Sequence, residues 1–208
     1  MADDKIIMLA IPCLNTVNIR FVASLISLVT FPHDGMELRL QFITDSMTYT
    51  ARNTLAEMAV KQECDYVLWI DSDMTFAPDV LYRLMRSMVD DKEMITGLYY
   101  KRRGDHGPVI YKNTSETYYD HPQYTIFPVD GCGFGMVLMR TDILRRVINA
   151  KDGLLFHPDP DLGEDLSFCR RFRQTGGVIW CDPSITCGHI GEYEYTGKDC
   201  VYDTRRNA

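Results

Sequence analysis

The chain has 208 residues, 46% of them hydrophobic and 25% charged, with a formal net charge of −7. That length and balance specify one globular domain with a full core and exclude two ordinary ones. No window reaches the roughly 18 uninterrupted apolar residues of a membrane span, and the negative charge argues against a surface given over wholly to nucleic acid.

Lys5 to Ile11 is an apolar run closed by Pro12, the pattern of a strand buried on both faces. Asn15 and Thr16 offer N-cap oxygens to a helix from about Val17 to Thr30, which Pro32, Asp34 and Gly35 break. Leu38, Leu40 and Phe42 then alternate with Arg39 and Gln41 as a second strand does. Ser46 to Thr50 opens another helix, with Leu55, Met58, Ala59 and Gln62 at helical spacing. Tyr66 to Ile70 is the clearest strand, apolar throughout, and it stops abruptly at Asp71-Ser72-Asp73. Pro78 and Asp79 suit a first helical turn, and Leu81, Leu84, Met85 and Met88 form its core stripe.

Met94 to Tyr100, Ile126 to Val129 and Met136 to Met139 read as strands, with Gly131, Gly133 and Gly135 between the last two. Thr141 or Asp142 caps a helix through Ile148. Asp161 to Glu164 opens the last helix, and Gly176-Gly177 closes it. Val178 to Cys181 is a final strand, after which the chain turns polar and irregular, and residues 192–208 read as a tail or lid. Strands alternating with helices predict an α/β fold with a mainly parallel sheet. Ligands of such sheets bind beyond the carboxyl ends of the strands.

Seven cysteines, none in a C-x-x-C pair or at zinc-finger spacing, suggest reduced thiols and a cytoplasmic setting. Met1-Ala-Asp-Asp-Lys5 lacks the basic head of a signal peptide. Lys101-Arg102-Arg103, Arg145-Arg146 and Arg170-Arg171 with Arg173 are the basic clusters, each readable as solvated charge or as part of a basic face.

Asp71 and Asp73 stand at the carboxyl end of the best strand, where two carboxylates can share a hard cation such as Mn²⁺ or Mg²⁺. As turn and cap residues they would need no cation. His189, in Thr186-Cys-Gly-His-Ile-Gly191, is a further candidate metal ligand or an ordinary loop histidine. Glu164 and Asp165 sit at a helix start, where a carboxylate either complements the helix dipole or accepts a proton from an attacking hydroxyl. The glycines at 131, 133 and 135 fit neither G-x-G-x-x-G nor a P-loop, and leave a flexible or closely packed turn. No nucleophile signature is present.

Arg52-Asn53, Asp65-Tyr66, Ile70-Asp71-Ser72-Asp73, the stretch from Val129 to Leu144, Gly163-Glu-Asp165 and Cys187-Gly-His189 occur in one order. That ordered set, over about residues 5 to 191, resembles the GT-A fold glycosyltransferases of the family-2-like kind, in a small form similar to bacteriophage-encoded members. The resemblance implies a single glycosyltransferase domain over residues 1–208 and a nucleotide-sugar donor, a UDP-sugar. It implies a site in which Pro12, Asn15, Asp45, Arg52, Asn53, Asp71 and Ser72 line the nucleotide. It gives Asp71, Asp73 and His189 to the metal and Asp165, beside Glu164, to base catalysis with inversion. The acceptor stays open between a hydroxymethylated pyrimidine in DNA, a modification of phage genomes, and a saccharide or lipid-linked hydroxyl. A sugar nucleotidyltransferase and a non-catalytic nucleotide-sugar-binding module are the competing readings. Pro12-Cys13-Leu14-Asn15 is not the basic glycine-rich loop of the first, and the joint presence of Asp71, Asp73, Asp165 and His189 opposes the second.

Overall fold

The computed structural model describes residues 4–113, 115–150, 153, 155–191 and 194–199. The elements are β1 (Lys5–Pro12), α1 (Ile19–Thr30), β2 (Met36–Ile43), α2 (Thr48–Lys61), β3 (Tyr66–Ile70), β4 (Met74–Thr75), α3 (Val80–Ser87), β5 (Met94–Leu98), β6 (Ile110–Lys112), β7 (Glu116–Thr117), β8 (Phe127–Val129), β9 (Gly131–Cys132), β10 (Met136–Arg140), α4 (Asp142–Ala150), α5 (Glu164–Gln174), β11 (Ile179–Thr186), β12 (Gly188–Ile190) and β13 (Glu194–Tyr195).

Seven strands make the central sheet, in the order β2-β1-β3-β10-β5-β11-β8. β1, β2, β3, β5 and β11 run one way, and β10 and β8 run against them. The sheet is mainly parallel, as the alternation of strands and helices predicts, with β10 inserted antiparallel between β3 and β5. Each face carries its own core, which is why the central strands are apolar at successive positions. Ile7, Leu9 and Ile11 of β1 pack with Phe21, Leu25 and Leu28 of α1 and Leu81 and Leu84 of α3. Met8 and Ala10 face the other way, toward Leu55 and Ala59 of α2, Val147 of α4 and Phe168 and Phe172 of α5.

Several boundaries differ from the sequence expectation. α1 starts at Ile19 and is capped by Asn18, whose side chain accepts from the Arg20 N–H, rather than by Asn15 or Thr16. All three residues can cap; the buried stripe Phe21, Leu25, Leu28 decides which one does. β2 is an edge strand, so Leu40 and Phe42 stay exposed although their alternation predicts burial. β11 runs on to Thr186 through an irregularity between Asp182 and Thr186, and the segment after it is ordered into β12 and β13 instead of being irregular. Gly176, with φ +86°, ends α5 as expected. Of the expected tail or lid, residues 192–193 and 200–208 lie outside the described residues. The described cysteines are free thiols, nearly all buried. Among the described residues no helix is long and apolar enough to cross a membrane.

Candidate functional site

The site forms where β3 runs out. The Asp71 N–H donates to the Gly135 carbonyl at 3.2 Å, and the Met74 N–H returns to the Asp71 carbonyl at 3.2 Å, so residues 71–74 make a tight turn beyond the sheet. β4 then pairs with β12, placing His189 opposite Met74, and the Ile190 N–H donates to the Asp73 carbonyl at 2.7 Å. A small sheet therefore joins residues far apart in sequence, Asp73 and His189. A Cβ at Gly188 would overlap the Glu194 carboxylate and the Thr75 hydroxyl, so any larger residue there would displace those side chains. Tyr99 supports the imidazole edge-on, with ring centroids 5.4 Å apart. The glycine run accommodates that tyrosine, since a Cβ at Gly133 or Gly135 would collide with its ring. The run is therefore a closely packed turn, with the Gly135 N–H donating to the Tyr99 hydroxyl at 3.1 Å.

A cleft of about 330 Å³ opens here, lined by Pro12, Ser46, Thr48, Arg52, Asp71, Ser72, Asp73, Arg102, Glu164 and Asp165 among others. A more open groove adjoins it, lined by Leu14, Asn15, Thr16, Asp45, Ser46 and Met47. Asp45 adopts the left-handed region at φ +57°, which aspartate tolerates better than most residues. Arg52, 2% exposed, rises from α2 into the cleft floor and rests on the Phe134 ring at 5.2 Å. It donates to Asp71 Oδ1 at 2.9 Å and to Glu164 Oε1 at 2.8 Å, tying the end of β3 to the start of α5.

Asp73 and His189 form the second half of the site. The His189 Nδ1 is 2.8 Å from the Tyr100 carbonyl, an obligate acceptor, so Nδ1–H is the donor and Nε2 is turned toward Asp73. Nε2 lies 3.6 Å from Asp73 Oδ2. The same Oδ2 faces Arg102 Nη1 at 2.9 Å, so the cation on that oxygen in this structure is a guanidinium. The other oxygen, Asp73 Oδ1, is buried with no hydrogen-bond partner among the described residues, a costly state that an ion or ligand would relieve. Burial pushes the Asp73 carboxyl up, but His189 and Arg102 outweigh it and hold the group below the usual carboxylate range. A carboxylate with a free oxygen, beside an imidazole oriented through a backbone carbonyl, suits Mn²⁺ or Mg²⁺. Asp71 is turned away to Arg52, and among the described residues no three His, Cys, Asp or Glu side chains already surround a common point.

Asp165 and Glu164 face the cleft from the first turn of α5, whose N-cap is Gly163 and makes no side-chain cap bond. Asp165 Oδ1 accepts from the Leu166 N–H at 2.8 Å. Burial lifts its carboxyl to about 6 against the pull of Arg52, with Glu164 and Asp71 pushing the same way as burial. A carboxyl poised near neutrality suits a general base.

The structure thus gathers Pro12, Arg52, Asp71, Ser72, Asp73, Glu164 and Asp165 in the cleft, Asn15 and Asp45 in the adjoining groove, and His189 beside Asp73. It places Asn53 elsewhere: its side-chain oxygen accepts the Phe156 N–H at 3.0 Å and holds the loop ahead of α5. Arg102, read from sequence only as part of a basic cluster, stands on Asp73 at 2.9 Å. No local pattern signals that contact. The other clusters disperse: Arg145 lies at the far end of the sheet with Lys5 and Tyr66, and Arg170 and Arg171 pair with Asp159.

Comparison with known proteins agrees with this geometry. The family model described as glycosyl transferase family 2 matches residues 44–148, half of the chain. The matched stretch holds Asp45, Arg52, Asp71, Asp73 and Arg102, while Pro12, Asn15, Asp165 and His189 lie outside it. Among solved structures, A197 from STIV superposes with a TM-score of 0.69 at 16% identity, over 96% of this chain and 95% of that one. GalNAc-T7, solved with UDP, GalNAc and Mn²⁺, superposes with a TM-score of 0.64 at 12% identity, over 94% of this chain but 45% of that one. At such identities the likeness is one of fold, here the GT-A fold. No curated protein gives a significant match.

Proposed function

From the premise that the chain belongs to glycosyl transferase family 2, we propose that it moves a sugar from a nucleotide-sugar donor, a UDP-sugar, to an acceptor hydroxyl with the help of Mn²⁺ or Mg²⁺. The observation that carries this is the Asp73 carboxylate, whose Oδ1 has no partner among the described residues and whose Oδ2 lies 3.6 Å from His189 Nε2, with Asp165 lining the same cleft. Asp73 and His189 would hold the ion, and donor oxygens and water would complete its shell. When bound, such an ion neutralises the charge that develops on the departing nucleoside diphosphate. Pro12, Asn15, Asp45 and Ser72 line the path of the nucleotide, and Asp71, fixed by Arg52, faces its ribose.

In the transfer step Asp165 takes the acceptor's hydroxyl proton. The acceptor oxygen forms a bond to the anomeric carbon as the bond from that carbon to the diphosphate breaks. The electron pair leaves with the diphosphate, and attack from the side of Asp165 inverts the centre. Glu164 contributes by anchoring Arg52 at the head of α5. The dispersal of the arginine clusters favours a saccharide over DNA as acceptor, because Lys101-Arg102-Arg103 alone of the three borders the cleft. The test is turnover of a panel of nucleotide-sugars with saccharide acceptors and with hydroxymethylated DNA, each with Mn²⁺ and with excess chelator. Turnover only with the ion supports the proposal; full turnover in chelator contradicts it.

A further inference from the structure

Among the described residues lining the cleft two are cationic, Arg52 and Arg102, and they differ in kind. Arg52 is buried, and its terminal nitrogens are engaged by Asp71 and Glu164. Withdrawing it would strand two carboxylates, so it is a fixture. The Arg102 side chain is 44% exposed, and its Nη1 alone makes the contacts with Asp73 Oδ2 at 2.9 Å and the Ile190 carbonyl at 3.1 Å. It stands on the turn closed by the Lys101 N–H and the Gly107 carbonyl at 2.9 Å, with Arg103, Gly104 and Asp105 exposed. Its guanidinium therefore occupies the very carboxylate that the proposed function gives to the divalent ion.

We propose that Arg102 is a cation with two stations: it holds Asp73 while no donor is bound, and it passes to the donor's diphosphate when Asp73 ligates the ion. The inference rests on the reading of Asp73 as a metal ligand. Charge balance supports it. The cleft carries Asp71, Asp73, Glu164 and Asp165 against two guanidinium groups, and a diphosphate adds further negative charge. Arg52 is 2% exposed and held between Asp71 and Glu164, so the exposed Arg102 is the guanidinium free to move to it. A guanidinium fork matches phosphate oxygens in two-point geometry. Leaving Asp73 costs little, since a half-exposed ion pair is worth at most about fivefold in an equilibrium constant. The partner contact at Ile190 belongs to the same strand as His189, so the first station also keeps the metal-ligating edge in order before the donor arrives.

The experiment is calorimetric and needs no turnover. Mn²⁺ is titrated into the donor-free protein, and UDP, GDP and dTDP are each titrated into protein saturated with Mn²⁺. The proteins are the wild type, Arg102→Met, Arg102→Lys and Asp73→Ala. Arg102→Met should bind Mn²⁺ about two- to fivefold more tightly, because its competitor for Asp73 is gone. The same variant should bind the preferred nucleoside diphosphate about 10- to 100-fold more weakly, the worth of a charge-assisted hydrogen bond. Arg102→Lys should recover part of that loss. If the wild type takes up Mn²⁺ through Asp73 but Arg102→Met changes neither affinity, or weakens both, the two-station role is overturned and the metal reading stands. If the wild type takes up no Mn²⁺, both fall.

Discussion

Replacing Asp165 by asparagine should stabilise the fold while destroying turnover. The Asp165 carboxyl is raised to about 6, first by burial and then by Glu164 and Asp71, with Arg52 opposing. In the unfolded chain an aspartate titrates near about 3.9. Between about pH 4 and 6 the unfolded chain has already lost this proton while the folded protein keeps it. Stability therefore falls as pH rises through that window and is level above it, by about 3 kcal/mol in all. Asparagine carries no charge and escapes the fall, and its oxygen can still accept the Leu166 N–H. Urea unfolding of the metal-free proteins across pH 4–8 reads the effect. The advantage of Asp165→Asn should open above about pH 4, reach about 3 kcal/mol near pH 7 and grow no further. That corresponds to roughly 6–12 °C in melting temperature for a chain of this size. In the same variant turnover should drop about 10²–10⁴-fold, with donor affinity little changed. Wild-type turnover should rise through about pH 6 as the base loses its proton. Parallel stability profiles for the two proteins, or near-normal turnover by the variant, would refute the reasoning and leave Asp165 as a helix-start residue.

Asp73→Ala should abolish Mn²⁺ uptake and turnover yet melt near the wild type, because its loss removes little packing and a carboxylate with one oxygen unpartnered among the described residues; a folded variant that turns over normally would remove Asp73 from the site. Arg52→Gln should cost about 2–4 kcal/mol in a thermal or urea melt, less than for a fully buried pair because Asp71 and Glu164 are partly exposed. An unmoved melt with lost donor binding would make Arg52 a donor ligand instead of a clamp. Gly188→Ala should lower Mn²⁺ affinity by at least about tenfold, since a Cβ there displaces Glu194 or Thr75 and shifts the strand that carries His189; calorimetry checks it.

The central strands were legible because burial on both faces leaves a run with no polar position, as in Tyr66 to Ile70. The Asp71–Asp73 turn was legible because it interrupts such a run. Asp165 and His189 stood out as a carboxylate at a helix start and an imidazole between glycines, but only the resemblance gave Asp45 a place and assigned each its role. The small strands β6, β7, β9, β12 and β13 were not, since two or three residues carry no period, and their pairing is with distant segments. For that reason Gly188-His189-Ile190 read as a loop. The start of α1 was misplaced because Asn15, Thr16 and Asn18 can all cap. Asn53 sits in the same landmark pair as Arg52, yet successive helical positions face different ways, and it serves the Phe156 N–H. The Arg102–Asp73 pair is visible only in three dimensions, because its partners are brought together by β4, β5 and β12 and not by any spacing in sequence.

The central claim is the bond that breaks. With Mn²⁺, an acceptor hydroxyl and a nucleotide-sugar panel, product analysis should find a nucleoside diphosphate released in step with glycosylated acceptor, and neither product from Asp73→Ala. Release of pyrophosphate, or binding of a nucleotide-sugar with neither transfer nor slow hydrolysis, would contradict it.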